Sequence, residues 1–306
     1  MPLIPSRLIT TPLVGGTSTG DRFVLTLDGV VCGLVTSAEG GNISAPVLRE
    51  PAGAFVRKRL GTPTPEPIEL FFDLSLQKVV YEWITESWQG RALTKSGSLI
   101  ALDTNLQATA ELQFDKAVIS ATTIPAMDAS SKIECVLAVR LTATTTNMRH
   151  ASGPVAGLVP KQKKAWLSSN FRLEIDGLDT TTISKVNALT IMSAERNAAA
   201  DRSRWPAGTV GAIDFPDLRV LFAEQSLKTW ADWHDRFVVH GENDDTQEKS
   251  GSLVFLAPDR QSQLGSVAFY GLGIYRLRHE PAQLGEPVRI RRTVAELYCQ
   301  RMELVV

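Results

Sequence analysis

The chain repeats a short series of motifs in the same order, and this repeat constrains its fold more than any other feature. Residues 22–29 read RFVLTLDG, and residues 170–177 read NFRLEIDG. Each run alternates apolar and polar residues, which is the pattern of a half-buried β-strand. Each ends in Asp-Gly, a pair typical of hairpin turns because glycine accepts a positive φ. The sequence therefore predicts two equivalent strand-and-hairpin units.

A short amphipathic helix is predicted later in each copy. Its apolar stripe consists of Leu76, Val79, Val80, Trp83 and Ile84 in the first copy, and of Leu227, Trp230, Trp233, His234 and Phe237 in the second. Both stripes end near a glycine, Gly90 and Gly241, where helices commonly stop. The pentapeptide KSGSL follows at 95–99 and again at 249–253, and it predicts a turn before a further strand.

Apolar strands close each copy. In the first copy the residues predicted to face one way are Ile133, Cys135, Leu137, Val139 and Leu141. The corresponding run of the second copy, from Val294 to Leu304, alternates less regularly. Several strands with one short helix predict a mainly β protein of two tandem antiparallel sandwich or barrel domains. We expect the first copy at 18–146, a Gly- and Pro-rich linker at 147–168, and the second copy at 169–306.

This order of motifs resembles the phage tail-tube family, which includes the tube proteins of contractile injection systems. The resemblance covers nearly the whole chain and rests on an ordered set of short motifs rather than on one signature. In the first copy these are FVLTLDG, a loop with Arg49, Glu50 and the basic run 57–59, the strand PIELFF, the tryptophan-bearing helix and a central aromatic, Phe114. The second copy has FRLEIDG, its own helix and Phe269. The resemblance implies tail-tube-type domains with a structural role.

Contacts between subunits or rings are implied for the long excursion of each copy. The candidate contact residues are Arg49, Glu50, Arg57, Lys58, Arg59, Arg202, Arg204 and Trp205. In the second copy, residues 194–211 replace the basic, glycine-containing loop of the first copy. We therefore expect the two copies to make different contacts.

A ring of six tube domains is the assembly that the resemblance implies. Such a ring covers the edges of each sheet with strands of its neighbour. Because a tandem pair fills two of six positions, we expect a trimeric, pseudo-sixfold ring around a lumen, stacked in a tube. The expected partners are the chain itself and other tube, baseplate, hub or sheath proteins, with DNA or an effector only as passing cargo. Whether the particle is a phage or an injection system stays open, as does the position in the main tube or at an adaptor.

Composition narrows the partners and the compartment. The formal net charge is −1, from 32 basic and 33 acidic residues, whereas a dedicated nucleic-acid binder usually has a basic excess. The N-terminus lacks the pattern of a secretory signal, and no run approaches the ~20 apolar residues of a membrane span. We expect synthesis in the bacterial cytoplasm, incorporation into a virion or phage-tail-like particle, and no membrane partner. Cys32, Cys135 and Cys299 are expected to be small buried apolar residues.

No group of residues in the sequence predicts catalysis. The four histidines are scattered, and neither a nucleophile elbow, a phosphate loop nor a dinucleotide motif occurs. We expect no catalytic residue, no cofactor and no metal. Trp83, Trp230 and Trp233 are predicted to pack in the core, whereas Trp88, Trp166 and Trp205 are predicted to be available for interfaces. Two alternatives remain: a monomeric two-domain β-barrel that binds a small ligand or glycan, and a hydrolase whose reacting groups come from distant positions.

Overall fold

A computed structural model describes residues 22–159, 165–193, 213–280 and 291–306, and these residues are mainly in strands. The strands of the first half are β1 (Arg22–Leu27), β2 (Val30–Val35), β3 (Ser37–Gly40), β4 (Ile43–Ser44), β5 (Val47–Ala52), β6 (Phe55–Leu60), β7 (Thr64–Pro65), β8 (Ile68–Phe72), β9 (Lys95–Leu102), β10 (Gln107–Ile124), β11 (Met127–Asp128), β12 (Leu137–Thr142) and β13 (Thr145–Pro154). Those of the second half are β14 (Phe171–Ile175), β15 (Ile183–Val186), β16 (Leu189–Met192), β17 (Leu218–Ala223), β18 (Lys249–Leu256), β19 (Gln263–His279) and β20 (Arg292–Val305). The helices are α1 (Lys78–Trp88) and α2 (Leu227–His234), with a 3₁₀ turn (Glu224–Ser226) before α2 and a π-helical turn (Asp235–Val239) after it.

Two large sheets and two small ones contain these strands. The order of the first large sheet is β2-β1-β9-β10-β12-β8-β3, and β13 and β16 also pair with β10. The order of the second is β11-β15-β17-β20-β19-β18-β14. The pairs β4-β7 and β5-β6 form separate two-stranded sheets. A mainly β, antiparallel fold with two helices in the described ranges and a nearly closed, barrel-like sheet confirms the predicted fold class.

Six strands of each half follow the same order in their sheet. The order β1-β9-β10-β12-β8-β3 across the first sheet corresponds, strand by strand, to β14-β18-β19-β20-β17-β15 across the second. The corresponding strands also follow one another in the same order along the chain. The register agrees as well, since Leu27 lies opposite Gly97 and Ile175 lies opposite Gly251. Each Asp-Gly strand therefore meets the KSGSL strand at the same step.

The pentapeptide KSGSL begins strands β9 and β18, so the predicted turn at this position is wrong. A Cβ placed on Gly97 would overlap the carbonyl oxygen of Thr26, and one on Gly251 would overlap that of Glu174. The glycine here permits the close approach of the neighbouring strand, rather than the positive φ of a turn.

The long strands β10 and β19 bulge at the same place. Phe114 lies opposite Gly97, and Phe269 lies opposite Gly251, with a register shift just beyond each pair. Two residues after each phenylalanine the backbone is left-handed, with φ 47° at Lys116 and φ 65° at Gly271. Such a bulge bends and twists a strand, so both halves bend their longest strand at one equivalent point.

The two helices confirm the predicted core tryptophans. Trp83 of α1 and Trp230 and Trp233 of α2 are all buried. The indole N–H of Trp83 donates to the carbonyl of Leu93 at 2.7 Å, which ties the helix to the segment before β9. Beyond each helix comes a glycine with φ 74°, Gly90 and Gly241, as the sequence predicts.

Several sequence-based assignments are corrected. Trp88 and Trp166 are buried rather than available for interfaces, and Trp166 packs against Phe255 with ring centroids 4.6 Å apart. Trp205 lies outside the described residues. Ile133 is exposed, whereas the other four residues predicted to share its face are buried.

Only the first of the two predicted hairpins forms. β1 and β2 pair across Asp28 and Gly29, both of which have positive φ. In the second half, residues 178–182 do not return along β14. The main-chain N–H of Asp179 instead bonds to the hydroxyl of Thr229 at 2.9 Å, and its carbonyl accepts from the indole of Trp230 at 2.9 Å. Bonds to α2 replace the strand pairing that a hairpin needs.

Contacts divide the chain into two compact units. The first comprises the described parts of 1–71, 94–118 and 140–160, and the second those of 72–93, 119–139 and 161–306. The second unit therefore contains α1 and the end of β10, although both come from the first half of the sequence. β13 occupies the beginning of the stretch predicted as a linker.

Candidate intersubunit surface

The five described candidate contact residues all lie on one β-hairpin, β5-β6, which we call the arm. Its register pairs Val47 with Leu60 and Ala52 with Phe55, so the turn consists of Gly53 and Ala54. Gly53 has φ 65°, which suits a tight turn. All twelve strand residues are exposed. The three second-copy candidates, Arg202, Arg204 and Trp205, lie outside the described residues.

Pro46 and Gly61 lie in contact at the base of the arm. The N–H of Gly61 donates to the carbonyl of Pro46 at 2.8 Å, and this bond closes the hairpin. A side chain at position 61 would meet the Pro46 ring at 2.9 Å. Below it, β4 pairs with β7 through Ile43 opposite Pro65. The arm is therefore held at one end and exposed along its length.

Apolar side chains occur on both faces of the arm. The large exposed ones are Val47, Leu48, Phe55, Val56 and Leu60. Phe55 at the tip is 81% exposed. An isolated two-stranded hairpin is marginally stable in water, and clustered exposed apolar residues typically mark an interaction surface. The residues predicted from the sequence were the charged ones. The apolar ones give no period-two signal, because Val47 is adjacent to Leu48 and Phe55 to Val56.

The charges of the arm are unevenly distributed. Arg49 lies directly opposite Lys58 on one face, a like-charge pair that is unfavourable when left alone. On the other face Arg57 lies opposite Glu50, and Arg59 reaches Glu50 at 3.8 Å. With four basic residues and one acidic residue, the arm is a basic surface that suits an acidic partner.

Several titratable groups outside the arm have shifted pKa values, and burial is the largest cause in each of the following. Burial raises the pKa of Cys32, Cys135 and Cys299 to about 11, so these buried thiols stay protonated. Burial also raises the pKa of Tyr298 to about 12, and its hydroxyl donates to Glu248 at 2.7 Å. Lys249 differs, because burial and nearby Arg236 lower its pKa while its ammonium lies over the ring of Trp233. No nucleophile with an adjacent base follows from these contacts.

An ion pair occupies equivalent strands in both halves, with the charges exchanged. Glu69 of β8 pairs with Arg140 of β12 at 2.6 Å. On the matching strands, Arg219 of β17 lies opposite Glu296 of β20, at 3.7 Å. Glu296 is largely buried, and Arg276 and Arg278 also reach it, at 3.4 and 3.5 Å. These contacts link neighbouring strands.

The described part of the chain was compared with the requirements of a metal site and of a membrane-spanning helix. Its histidines, cysteines and carboxylates form no group of three or more that would hold a metal ion. Neither of its helices is long and apolar enough to cross a membrane.

Comparison with known proteins gives limited matches. No protein-family model matches the chain, and no curated protein does. Among solved structures, the chain is similar to the tube-terminating cap of an anti-feeding prophage, at 21% identity and TM-score 0.38, over 46% of this chain and 96% of that one. It is also similar to a chain of the PVC sheath–tube complex, an extracellular contractile injection system in the extended state, at 18% identity and TM-score 0.37, over 42% of this chain and 89% of that one. We therefore base the functional proposal on the chain's own contacts.

Proposed function

We propose that this chain is a structural subunit of a tail tube or tube-like ring, in a contractile phage tail or injection system. The observation that carries the proposal is the arm: a fully exposed β-hairpin with apolar side chains on both faces and a basic surface. A hairpin of this kind gains stability only when another surface covers it. Its position matches the loop to which the sequence resemblance assigns contacts between subunits or rings.

The agreement of the two halves supports a tandem duplication within this assembly. Six strands share their order, and both the KSGSL register and the bulge agree. We propose domains at 18–146 and 169–306, joined through 147–168, each filling one of six positions in a ring. Three chains then complete a pseudo-sixfold ring around a lumen, which stacks on like rings and meets other tube, hub, baseplate or sheath proteins.

The distribution of charge supports self-association into stacked rings. The loop before β18 carries Glu242, Asp244 and Asp245, all exposed. A basic arm and an acidic loop on the same molecule are complementary between copies, and such complementarity favours encounter and register.

Negative-stain electron microscopy, together with the mass in solution, tests the proposal. We expect rings or tubes with a sixfold outline and three chains per ring. The variant Phe55→Asp is expected to abolish stacking, because it places a charge at the apolar tip of the arm. Ile133→Asp serves as the control, since Ile133 is an exposed apolar residue that is not part of the arm. A wild-type chain that stays monomeric at every concentration would contradict the proposal and favour a ligand-binding barrel.

A further inference from the structure

α1 has one more line of buried side chains than α2. The additional stripe of α1 consists of Tyr81, Ile84 and Trp88, all buried. When the two helices are aligned on Trp83 and Trp233, the positions of that stripe correspond to Ala231, His234 and Val238. None of these three is buried, and Val238 is 42% exposed. Val238 lies in the π-helical turn that follows α2. α2 and this turn therefore present a face, here called the α2 face, whose counterpart on the first helix is covered.

The end of β20 contributes to the covering of α1. The hydroxyl of Thr85 donates to the carbonyl of Leu304 at 3.3 Å. The segment entering α1 lies over the adjacent strand, since a Cβ on Gly265 would be 3.7 Å from Leu74 Cδ1. Both contacts lie within the second compact unit.

β13 is the counterpart of this part of β20 in the first half. Phe114 lies opposite Thr146, just as Phe269 lies opposite Met302. Two residues further along, Met148 therefore corresponds to Leu304. Met148 is 42% exposed, whereas Leu304 is buried. The surface that receives a helix in the second half has an open counterpart in the first half.

A strand contact shows the same asymmetry. On one edge of β10, β9 pairs as far as Ala117, and β16 then covers residues 121–124. On the equivalent edge of β19, the pairing with β18 ends at Leu272. Among the described residues, no strand takes the place of β16 on this edge of β19. Within the described residues, the last residues of β19 therefore have an unpaired edge, and such an edge is a template for another strand.

The strand that would fit this edge is β4, which pairs with β7 on one side. Ala38 faces Leu70, and Val186 faces Val220, at matching steps of β8 and β17. Five residues beyond each, Ile43 corresponds to Ile191. Ile191 is 2% exposed where β16 pairs with β10, whereas Ile43 is 61% exposed.

We propose that copies of this chain join head to tail through the counterparts of these two internal contacts. The α2 face around Val238 in one copy packs on β13 around Met148 in the next. The segment around Ile43 in that next copy pairs with the open end of β19 in the first. In both internal contacts the first half contributes α1 or β10, and the second half contributes the strand that each contacts. Both proposed contacts therefore run in the same direction between copies. The inference rests on the proposed self-assembly and names the surfaces that carry it.

Acidic residues flank one of the facing surfaces and basic residues the other, and within the chain Lys228 pairs with Asp232 at 2.7 Å and His240 lies 3.2 Å from Asp235. Asp232 and Asp235 flank the α2 face, and Arg149 and His150 follow Met148 on β13. Asp235 occupies the position of Thr85, the residue that bonds to β20 inside the chain. The proposed contact therefore joins an apolar centre to opposite charges at its rim. Because donor and acceptor surfaces differ, the contact is heterologous and generates a closed ring when the rotation per domain closes.

The test uses two full-length variants, Val238→Asp and Met148→Asp, with Ile133→Asp as the control. Each variant alone is expected to require a concentration at least about tenfold higher than the wild type to assemble. A mixture of the two is expected to form a 1:1 dimer, because one intact α2 face then meets one intact β13 face. Light scattering measures the masses, and circular dichroism confirms that each variant folds.

A cysteine pair tests the same contact without disturbing the apolar centre. Asp235→Cys in one chain and Arg149→Cys in another are expected to crosslink on oxidation into a covalent dimer. Thr85→Cys with Val305→Cys, the equivalent pair inside one chain, is the positive control. If the wild type forms rings while both aspartate variants assemble normally and the cysteines do not crosslink, the proposed surfaces are wrong but the tube function stands. A monomeric wild type overturns both.

Discussion

The two halves of the molecule share a strand frame and differ in what covers it. In both, the Asp-Gly strand meets the KSGSL strand at a glycine, and the longest strand bulges two residues after a buried phenylalanine. In the first half Lys95 pairs with Asp28 at 2.8 Å, whereas in the second Lys249 lies over Trp233. The shared strand arrangement depends on close backbone contacts that leave no space for a side chain at Gly97 or Gly251. The contacts on top of these strands depend on side chains and differ between the halves.

The largest effect is expected from the shared glycines, Gly97→Ala and Gly251→Ala. Each added Cβ overlaps a carbonyl oxygen of the paired strand, so the strands must separate, at a cost of about 3 kcal/mol or more. Urea denaturation followed by circular dichroism measures the loss. Gly53→Ala is the control, because only its φ of 65° opposes a side chain. A small effect in either half would break the equivalence of the two frames.

The exchanged ion pairs are expected to differ in strength. Glu296→Gln removes the partner of three arginines from a site that is 12% exposed, and we expect a loss of about 2 kcal/mol. Glu69→Gln acts at a more exposed pair, where about 0.5 kcal/mol is expected. Unfolding free energies of the two variants are compared at one pH. Equal losses would show that burial does not distinguish the two sites.

Substituting Trp83 and Trp233 distinguishes the contribution of packing from that of a hydrogen bond. Trp83→Phe removes a donor from the carbonyl of Leu93, whereas the indole N–H of Trp233 has no partner among the described residues. Trp83→Phe and Trp233→Phe remove similar side-chain volume, so Trp83→Phe is expected to lower the free energy of unfolding by about 1 kcal/mol more. Thermal unfolding of both variants measures the difference. A larger loss at Trp233 would show that the hydrogen bond of Trp83 does not determine the difference.

The smallest effect concerns pH. The hydrogen bond from Lys95 lowers the pKa of Asp28, so the charged pair contributes stability above the ordinary aspartate range and loses it as pH falls through that lowered pKa. Because Asp28 is half exposed, Asp28→Asn is expected to cost at most about 0.5 kcal/mol at pH 7 and almost nothing near pH 3. Unfolding of both proteins across that range measures the effect. A cost that persists at pH 3 would assign the loss to the turn rather than to the charge.

The sequence predicted the strands and core helices because period-two and helical patterns are local. It misread KSGSL, since glycine serves both turns and close strand approach, and only the pairing with Thr26 distinguishes them. Trp88 was predictable in principle, because it lies seven residues after Tyr81 on a second apolar stripe. The pair of Glu69 with Arg140 was not, since the register of strands distant in the chain depends on the whole sheet.

The exchanged charges of Glu69–Arg140 and Arg219–Glu296 also act while the chain folds. Strands with nearly the same pattern, such as β8 and β17, compete for the same partners, and misassembly between similar domains is a characteristic failure of repeated sequences. If β8 paired with β20, Glu69 would face Glu296, and if β17 paired with β12, Arg219 would face Arg140. Both errors place like charges on neighbouring strands, which is destabilising. We therefore expect the inverted pair to favour each strand's own partner over the similar strand of the other half while the chain folds.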